Sequence, residues 1–326
     1  MRLTHRSSIE VKTPAEIAVM REAGLVVARM LRETSAAVEP GISTAELDAI
    51  AESVLRQAGA RPSFKGYHGY PATICTSVND QIVHGIPSRD AVLADGDVIS
   101  IDAGAIVGGW HGDAAVTVAV GTVPPEVTAL MRACELALWH GLSAAVAGGR
   151  LTDVSHAIEA SARASGSYGI VREYTGHFIG SQMHMDPPVP NYGRPGRGPV
   201  LTEGMALAIE PMLVLGSPRT RLLDDGWTVV TADSSLAVHF EHTVAITPDG
   251  PWVTTAPDGG ASGLAAIGSA AAGQAGQWAG DPGSSRSAGA GRSAGAGRSA
   301  RFAGASRSAG ASRSAGAGRS AGAGRS

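Results

Sequence analysis

The chain has 326 residues, 44% of them hydrophobic, which is enough for one large domain or two ordinary ones with a sizeable core. Its net charge of −3 hides an uneven distribution: residues 281–326 hold eight Arg and one Asp, which leaves 18 basic and 28 acidic side chains in residues 1–280. An acidic body argues against nucleic-acid binding by the main domain and suits a site built from carboxylates.

Cysteine content and hydropathy indicate the compartment. The two cysteines, Cys75 and Cys134, do not amount to a disulfide framework, and a reducing compartment is the simpler interpretation. The segment from Met1 to Lys12 has no apolar run of the kind found in signal peptides. No stretch of about 18 apolar residues occurs, so no membrane span is expected. We therefore predict a cytoplasmic protein without a membrane partner.

Capping signals and apolar spacing predict four helices. Thr13-Pro14-Ala15-Glu16 is a capping box with Pro at the first helical position, and apolar residues follow it at helical spacing. Ser43 and Glu46 start a second helix, which Gly59 ends. The third helix is predicted over residues 124–146. The fourth is capped by Thr152 and runs to about residue 165.

The predicted strands alternate with these helices. They are clearest at residues 97–107 and 109–120, which the Gly108-Gly109 pair joins as a hairpin. Further strands are predicted at residues 204–215, 227–231 and 236–247. This pattern predicts a mixed α/β (α+β) domain in which helices flank a largely antiparallel sheet.

The composition changes near Pro257. From Asp258 onward the chain consists mostly of Gly, Ala, Ser and Arg, and a Ser-Ala-Gly-Ala-Gly-Arg hexapeptide recurs. Such a segment buries too little apolar surface to offset its chain entropy. We predict a folded domain at residues 1–257 and a disordered Gly/Ala/Ser/Arg-rich tail at residues 258–326.

Two acidic residues lie on either side of the predicted hairpin turn. Pairing the strands about Gly108-Gly109 places Asp102 opposite residue 115, and Asp113 lies on the same face two positions away. The neighbours of both are apolar, so the two carboxylates repel each other and are costly to bury. Either one of them is protonated or a cation lies between them. Two unrelated acids on a solvent-facing hairpin are the alternative.

Further acids and histidines favour the cation. Glu210 and Glu241 each lie inside an otherwise apolar strand, where charged residues are rarely incidental. His177 and His184 are seven positions apart, so they do not form the helical pair of a His-Glu-x-x-His motif, which the chain lacks. Carboxylates with one imidazole suit divalent Mn, Fe, Co or Zn, and four carboxylates can hold two ions about 3.5–4 Å apart. That donor set is typical of a hydrolase.

The candidate residues lie in segments that resemble a known family. The segments are Gly-Tyr-His-Gly-Tyr-Pro at 66–71, Val-His-Gly-Ile-Pro at 83–87, Ile-Asp-Ala-Gly at 101–104, His-Gly-Asp at 111–113, Gly-His-Phe-Ile-Gly at 176–180, Ile-Glu-Pro-Met at 209–212 and Phe-Glu-His-Thr at 240–243. With them the chain resembles type I methionine aminopeptidases of the pita-bread fold over roughly residues 9–250. The resemblance implies a sheet with internal pseudo-two-fold symmetry, and it makes residues 1–257 the catalytic domain.

The resemblance also assigns metal ligands for two divalent ions, of Co, Mn, Fe or Zn. Asp102 would bind one ion. His177 and Glu210 would bind the other. Asp113 and Glu241 would bridge the two. All five positions are filled in order and at the spacing of the family.

Catalytic and substrate-binding roles follow from the same resemblance. His84 would contact the scissile amide, His184 would stabilise the oxyanion, and Glu210 would also shuttle a proton. The residues that would surround the substrate methionine are Tyr67, His68, Tyr70, Cys75, Met183 and Trp227. Thioether contacts with aromatic rings and sulfur suit methionine. Ordinary core packing is the alternative for these pocket residues.

Several positions depart from the commonest pattern of the family. Ala103-Gly104 replaces a frequent Val-Thr, Met183 stands where an aromatic residue is common, and Phe240 stands where Tyr is frequent. None of these removes a ligand, so they bear on pocket shape and rate. Only 31 positions separate Glu210 from Glu241, which leaves no room for the helical insertion of type II enzymes. The N-terminal region is likewise too short for the extra domain of prolidases and X-Pro aminopeptidases.

The function implied by the resemblance is removal of the initiator methionine from nascent polypeptides, with a preference for a small second residue. One alternative keeps the fold and changes the substrate, to X-Pro peptides. Another is a binding protein that kept the fold and lost catalysis, with the Arg-rich tail as its working part. Contact of that tail with the ribosome is a further hypothesis, and a dispensable tail is its alternative.

Overall fold

The computed structural model describes residues 9–268. Its helices are α1 (Pro14–Ala36), α2 (Thr44–Ala58), α3 (Pro125–Ser143) and α4 (Leu151–Ser165). Its strands are β1 (Arg61–Pro62), β2 (Ile74–Val78), β3 (Gln81–Val83), β4 (Val98–Val107), β5 (Trp110–Ala119), β6 (Gly169–Ile170), β7 (Gly176–Phe178), β8 (Met185–Val189), β9 (Ala206–Ile209), β10 (Met212–Val214), β11 (Thr220–Leu222), β12 (Val229–Thr231), β13 (Ala237–His239), β14 (Glu241–Thr247) and β15 (Gly250–Val253). A 3₁₀ turn covers Tyr67–Gly69, and residues 261–268 form a final helical segment.

Within these residues a nine-stranded sheet dominates the fold. Its order is β1-β4-β5-β14-β9-β7-β8, with β2 beside β4 and β15 beside β14. Every pairing in it is antiparallel. Two further sheets, β13-β10-β6 and β11-β12-β3, have three strands each. The predicted mixed α/β class with a largely antiparallel sheet is therefore confirmed.

Each half of the large sheet is covered by one pair of helices. α1 packs on β4 and β5, α2 packs beside it, and their buried apolar side chains form one core with this half. α3 and α4 pack together and share a second core with β9 and β14. Burial of these apolar faces, which stabilises the fold by about 25 cal/mol per Å², holds the helices against the sheet. Two similar helix pairs on one sheet agree with the predicted pseudo-two-fold symmetry.

α1 crosses β5 at short range beside one of the predicted ligands. A Cβ atom on Gly112 would lie only 2.8 Å from the backbone nitrogen of Gly24. A Cβ atom on Gly24 would lie 2.2 Å from the carbonyl oxygen of Thr254. Both positions therefore require glycine, which permits the close approach of two backbones. Because Asp113 follows Gly112, this contact fixes the strand that presents its carboxylate.

The starts of α1 and α2 agree with the sequence. The Thr13 hydroxyl accepts the N–H of Glu16 at 3.3 Å, and the Glu16 carboxylate accepts the N–H of Thr13 at 2.7 Å. This reciprocal pair is the predicted capping box. Gly59 follows α2 in the left-handed conformation, with φ of 64°, which glycine adopts without strain.

The limits of α3 and α4 differ from the prediction. α3 ends three residues before the predicted residue 146. α4 begins at Leu151, and the carboxylate of Asp153 accepts the backbone N–H of Arg150 at 2.7 Å. Thr152 was predicted as the cap, but its hydroxyl donates to the carbonyl of Arg197 instead. A contact distant in sequence therefore displaces the local capping signal.

The hairpin of β4 and β5 is confirmed, and the other long predicted strands are broken. Gly108 and Gly109 both have positive φ, as a two-residue hairpin turn requires. Residues 204–215 form β9 and β10 on either side of Glu210 and Pro211, and residues 236–247 form β13 and β14 on either side of Phe240. Proline has no N–H to donate to a ladder. At both breaks the chain passes between the large sheet and a small one, beside a predicted ligand.

The helical segment at residues 261–268 lies inside the range predicted as a tail. The carboxylate of Asp258 accepts the N–H of Gly260 at 2.9 Å. Gly263 lies so close to Trp139 that a Cβ atom would be 2.4 Å from its indole ring. A helical segment therefore packs against the Trp139 indole beyond the predicted boundary at residue 257.

Residues 1–8 and 269–326 lie outside the part of the chain that the structure describes. The prediction that the tail is disordered falls mostly on these residues. Within residues 9–268, no helix combines the length and the apolar character needed to cross a membrane.

Candidate active site

Five neighbouring strands of the large sheet bring the predicted metal ligands together. In sheet order, the ligands are Asp102 on β4, Asp113 on β5, Glu241 at the start of β14, Glu210 directly after β9 and His177 on β7. Asp102 and Glu241 are both paired with Ala115, which lies between them in the sheet. Asp113 is two residues from Ala115 and therefore on the same face. The diagonal arrangement of the two aspartates, predicted from the hairpin turn, is confirmed.

The donor atoms of these residues converge in a buried space. Nε2 of His177 lies 3.8 Å from Oδ2 of Asp113 and 3.7 Å from Oε1 of Glu210. One donor atom each from Asp113, His177 and Glu241 lies within 4.8 Å of the others. Buried oxygens without a hydrogen-bond partner among residues 9–268 include Oδ1 of Asp102, Oδ1 of Asp113 and Oε1 of Glu241.

These unpartnered oxygens fit a cation. A buried polar atom without a partner is costly, and a bound metal ion would supply that partner. An oxygen-rich donor set with one imidazole matches divalent ions such as Mn, Fe, Co or Zn. The residues present are therefore suited to a divalent metal centre.

Burial determines the protonation of the centre. It raises the pKa of Asp102 to about 7. Burial first, and then repulsion by neighbouring carboxylates, raises the pKa of Asp113, Glu210 and Glu241 well above the usual range. Burial lowers the pKa of His177 to about 3, so its imidazole is neutral at pH 7. Carboxylates in this state release protons when a divalent ion binds.

One cavity contains the ligands and almost all the predicted substrate-contacting residues. Its lining consists of Phe64, Tyr67, Tyr70, Cys75, His84, Asp102, Asp113, His177, Met183, His184, Glu210, Trp227 and Glu241. Phe64, Tyr70, Cys75 and Met183 form one apolar cluster, against which Trp227 packs. Aromatic rings beside a thiol and a thioether make a wall suited to an unbranched apolar side chain.

Phe64 was not predicted as a pocket residue, because it lies two positions before the segment at 66–71. Its place in the wall explains a departure from the family pattern. A Cβ atom on Gly104 would lie 2.8 Å from Cε1 of Phe64 and 2.7 Å from Cβ of Ser63. Gly104 is thus the residue that leaves room for the phenyl ring.

The two predicted catalytic histidines lie at this cavity in neutral form. Burial lowers the pKa of His84 to about 4, and its ring lies edge-on to those of Tyr174 and Trp227. Burial also lowers the pKa of His184. Nδ1 of His184 is hydrogen bonded to the Tyr67 hydroxyl at 3.0 Å. Each imidazole can therefore present one N–H to a ligand at neutral pH.

His68 is the predicted substrate neighbour that does not line the cavity. It lies in the 3₁₀ turn with φ of 47°, and its ring packs edge-on against Tyr67 at 4.4 Å between centroids. His68 therefore contacts a wall residue of the cavity without lining the cavity itself.

His239 is a site residue that the sequence analysis did not assign. It is buried, and its Nε2 lies 3.8 Å from Oε2 of Glu210 and 3.9 Å from Oε2 of Glu241. Burial lowers its pKa to about 3. Its position two residues before Glu241 was the available signal, because residues i and i+2 of an extended chain share a face.

Two threonines hold the backbone of the centre. The Thr243 hydroxyl accepts the N–H of Asp113 at 3.0 Å and donates to the Asp113 carbonyl at 2.7 Å. The Thr117 hydroxyl does the same for His239, at 2.9 and 2.8 Å. A side chain of β14 thus holds the backbone of β5 at Asp113, and a side chain of β5 holds the backbone of β13 at His239.

Comparison with known proteins agrees with this geometry. A model of metallopeptidase family M24 matches residues 18–248. The chain belongs to metallopeptidase family M24. The matched range contains the five converging donors and the residues that line the cavity, and it ends before the Arg-rich tail.

Relatives of this M24 chain cover the same range. Methionine aminopeptidase 1 of Mycobacterium tuberculosis is 56% identical over 259 residues, which are 78% of this chain and 97% of that protein. Methionine aminopeptidase 1 of Bacillus subtilis is 49% identical over 239 residues, which are 73% of this chain and 96% of that protein. The resemblance predicted from the sequence motifs is confirmed.

Solved structures confirm the pita-bread fold. The methionine aminopeptidase of Thermotoga maritima is 42% identical, has a TM-score of 0.75, and matches over 76% of this M24 chain and 99% of that one. The prolidase of Pyrococcus furiosus is 22% identical with a TM-score of 0.62, which shows a shared fold alone. This chain covers 65% of the prolidase.

Proposed function

We propose that this M24 metallopeptidase is a methionine aminopeptidase, which hydrolyses the first peptide bond of polypeptides that begin with methionine. The observation that carries the proposal is the junction of a five-donor centre with an apolar wall of aromatic and sulfur groups in one cavity. Two relatives that bear the name methionine aminopeptidase, at 56% and 49% identity, support the same activity.

We assign the centre to two divalent ions, of Co, Mn, Fe or Zn. Asp102 would hold one ion, His177 and Glu210 the other, and Asp113 and Glu241 would bridge them. Two such ions supply Lewis acidity and lower the pKa of a water molecule towards neutrality. Four buried carboxylates have more negative charge than one divalent ion neutralises, which favours two ions.

The histidines supply neutral donors at the reacting bond. In the tautomer that accepts the Tyr67 hydroxyl at Nδ1, His184 carries its proton on Nε2, where it would stabilise a developing oxyanion. His84, kept neutral by burial, would contact the scissile amide. Burial raises the pKa of Glu210, and the family resemblance assigns it the transfer of a proton during hydrolysis.

The apolar wall would bind the methionine side chain. Met183 and Cys75 offer polarisable sulfur, and Tyr70 and Trp227 lie edge to face at 5.1 Å beside them. Thioether groups make favourable contacts with such surfaces. The family resemblance adds a preference for a small second residue and makes nascent polypeptides the substrates.

The tail is proposed to be a separate part of the molecule. Peptide cleavage would require only the folded domain, and the Arg-rich tail would be dispensable for it. Gly and Ala residues separate the arginines, so each guanidinium would reach a phosphate independently and a ribosome contact would weaken steeply with salt.

The test is a comparison of peptides on metal-loaded and metal-free protein. We expect cleavage of Met-Ala-Ser, loss of cleavage on exhaustive chelation, and recovery with Mn, Co or Fe. An X-Pro peptide should be a poor substrate. Preference for the X-Pro peptide would replace the proposal with a prolidase-like activity. Full activity with no detectable metal would falsify the metal assignment.

A further inference from the structure

The loop that connects β7 to β8 presents two residues to the active-site cavity. It comprises residues 179–184, because the paired residues Phe178 and Met185 are the last of β7 and the first of β8. Its final residues, Met183 and His184, both line the cavity. A misplacement of about 1 Å at a reacting centre can cost on the order of 10²-fold in rate. What holds this loop therefore bears on catalysis.

The first half of the loop is held by the segment that precedes α1. Nζ of Lys12 donates to the carbonyl of Ile179 at 2.6 Å. The carboxylate of Glu10 accepts the N–H of Ser181 at 3.2 Å and is also hydrogen bonded to the Ser181 hydroxyl. Nζ of Lys12 lies 3.3 Å from Oε1 of Glu10, so the two side chains form one ion pair across the loop.

The ion pair is closely fitted to the loop. A Cβ atom on Gly180 would lie 2.0 Å from Oε1 of Glu10 and 2.8 Å from Nζ of Lys12, so any side chain at this position would displace the ends of both. The Lys12 side chain is 0% exposed. Burying an ammonium group is costly unless its hydrogen bonds are met, whereas an apolar side chain would fill the space without that cost. A fully buried lysine here is therefore unexpected for packing alone.

Both ends of this arrangement are anchored. The backbone N–H of Lys12 donates to the carbonyl of Gly204 at 2.8 Å, which ties the N-terminal segment to the turn before β9. On the loop, the carbonyl of Gly180 accepts the N–H of His111 at 3.0 Å. The loop is thus fixed at residues 179–181, directly before the residues that reach the cavity.

From these contacts we infer that Lys12 and Glu10 are positioning residues, which hold the 179–184 loop so that His184 and Met183 meet the substrate. The inference rests on the proposed function, which assigns His184 to the oxyanion. Neither Lys12 nor Glu10 lines the cavity, so both act through the loop.

The first test replaces Lys12 by Met, which keeps the length of the side chain and removes the ammonium group. With Mn²⁺-loaded protein, kcat for Met-Ala-Ser should fall by about 10-fold or more, while Mn²⁺ affinity stays unchanged. Amide hydrogen exchange at residues 181–184 should become faster. The matched control is Leu55→Ala in α2, a buried position outside the cavity, which should lower the unfolding temperature without either effect.

A double-mutant cycle with His184→Ala separates positioning from general damage. If Lys12 acts through His184, the double variant should be no slower than His184→Ala alone. Glu10→Gln, a milder change, should lower kcat in the same direction by a smaller factor. An unchanged kcat in folded Lys12→Met protein, or unchanged amide exchange at residues 181–184, would overturn the inference, and an equal loss on the His184→Ala background would overturn its claim on His184. If the wild type does not cleave Met-Ala-Ser, the proposed function fails, and the exchange comparison still decides whether Lys12 holds the loop.

Discussion

In the metal-free protein, the raised pKa of the buried carboxyls should make the free energy of unfolding fall as the pH rises, and we place the test at pH 7 to 9, above the range in which the buried histidines titrate. Burial raises the pKa of Asp113, Glu210 and Glu241 well above the value of about 4 that carboxyls have in an unfolded chain. Between those values the folded, metal-free protein binds more protons than the unfolded chain. Each proton retained in this way lowers the free energy of unfolding by about 1.4 kcal/mol per pH unit.

The buried histidines do not change the pH dependence of stability between pH 7 and 9. Burial lowers the pKa of His177 and His239 to about 3 and that of His84 to about 4. A lowered pKa adds stability as the pH rises from the folded value to the unfolded value of about 6.5. Above pH 7 these imidazoles are neutral in both states and add no slope. Burial also raises the pKa of Cys75 and Cys134, which lowers stability in the same direction towards pH 9, so the Asp113→Asn variant is the measurement that isolates the carboxyl contribution.

The assay is thermal unfolding at pH 7, 8 and 9, with chelator and then with Mn²⁺. Asp113→Asn removes one of the repelling acids, so the metal-free variant should be more stable than metal-free wild type at pH 9. It should also bind Mn²⁺ more weakly, because a proposed ligand is lost. Asp153→Asn is the control: Asp153 lies outside the cavity, and its hydrogen bonds to backbone N–H groups lower its pKa, so the slope above pH 7 should not change. A flat or rising stability in metal-free wild type, or a less stable Asp113→Asn at pH 9, would refute the reasoning.

Three further predictions concern the surroundings of the site. Thr243→Val leaves the buried N–H and carbonyl of Asp113 without partners, which should lower the free energy of unfolding by about 2–6 kcal/mol in chemical denaturation. The control is Thr34→Val, which should lower it less, because the Thr34 hydroxyl bonds only to carbonyls within α1. Equal losses in the two variants would contradict the role of Thr243. His184→Ala should lower kcat about 10²–10³-fold with metal content unchanged, and loss of metal would show that His184 is a ligand. Truncation after residue 268 should leave cleavage of Met-Ala-Ser intact. If the full-length and truncated proteins pellet equally with ribosomes at low salt, the tail is not a ribosome anchor.

The parts of the site that local rules control could be predicted from the sequence. A two-residue Gly108-Gly109 turn fixes the pairing of its flanking strands, so the relative position of Asp102 and Asp113 follows from counting residues. The capping box at Thr13 depends on contacts within three residues. In both cases the deciding interaction is close in sequence and competes with no tertiary contact.

The breaks in the long strands could not be predicted in the same way. An apolar run at residues 204–215 has the period of a strand throughout, although Pro211 was a warning. Which side of the break joins which sheet depends on the pairing of β9 with β14 and of β10 with β13, residues that are distant in sequence. The break matters because it frees Glu210 from the ladder and turns it towards the other donors.

The residues that orient the ligands could not be predicted from the sequence, because their contacts are also distant in sequence. Lys12 reaches Ile179 across 167 positions, and Thr243 reaches Asp113 across 130. Period and spacing describe neighbours within about four residues, so they find a donor such as Asp113 in its apolar strand and not the threonine that satisfies its backbone. Ligands are conspicuous because a buried charge violates the local pattern, whereas a threonine or a lysine near a helix start violates nothing. Residues of the second kind emerge only when each buried donor and acceptor of the folded chain is matched to its partner.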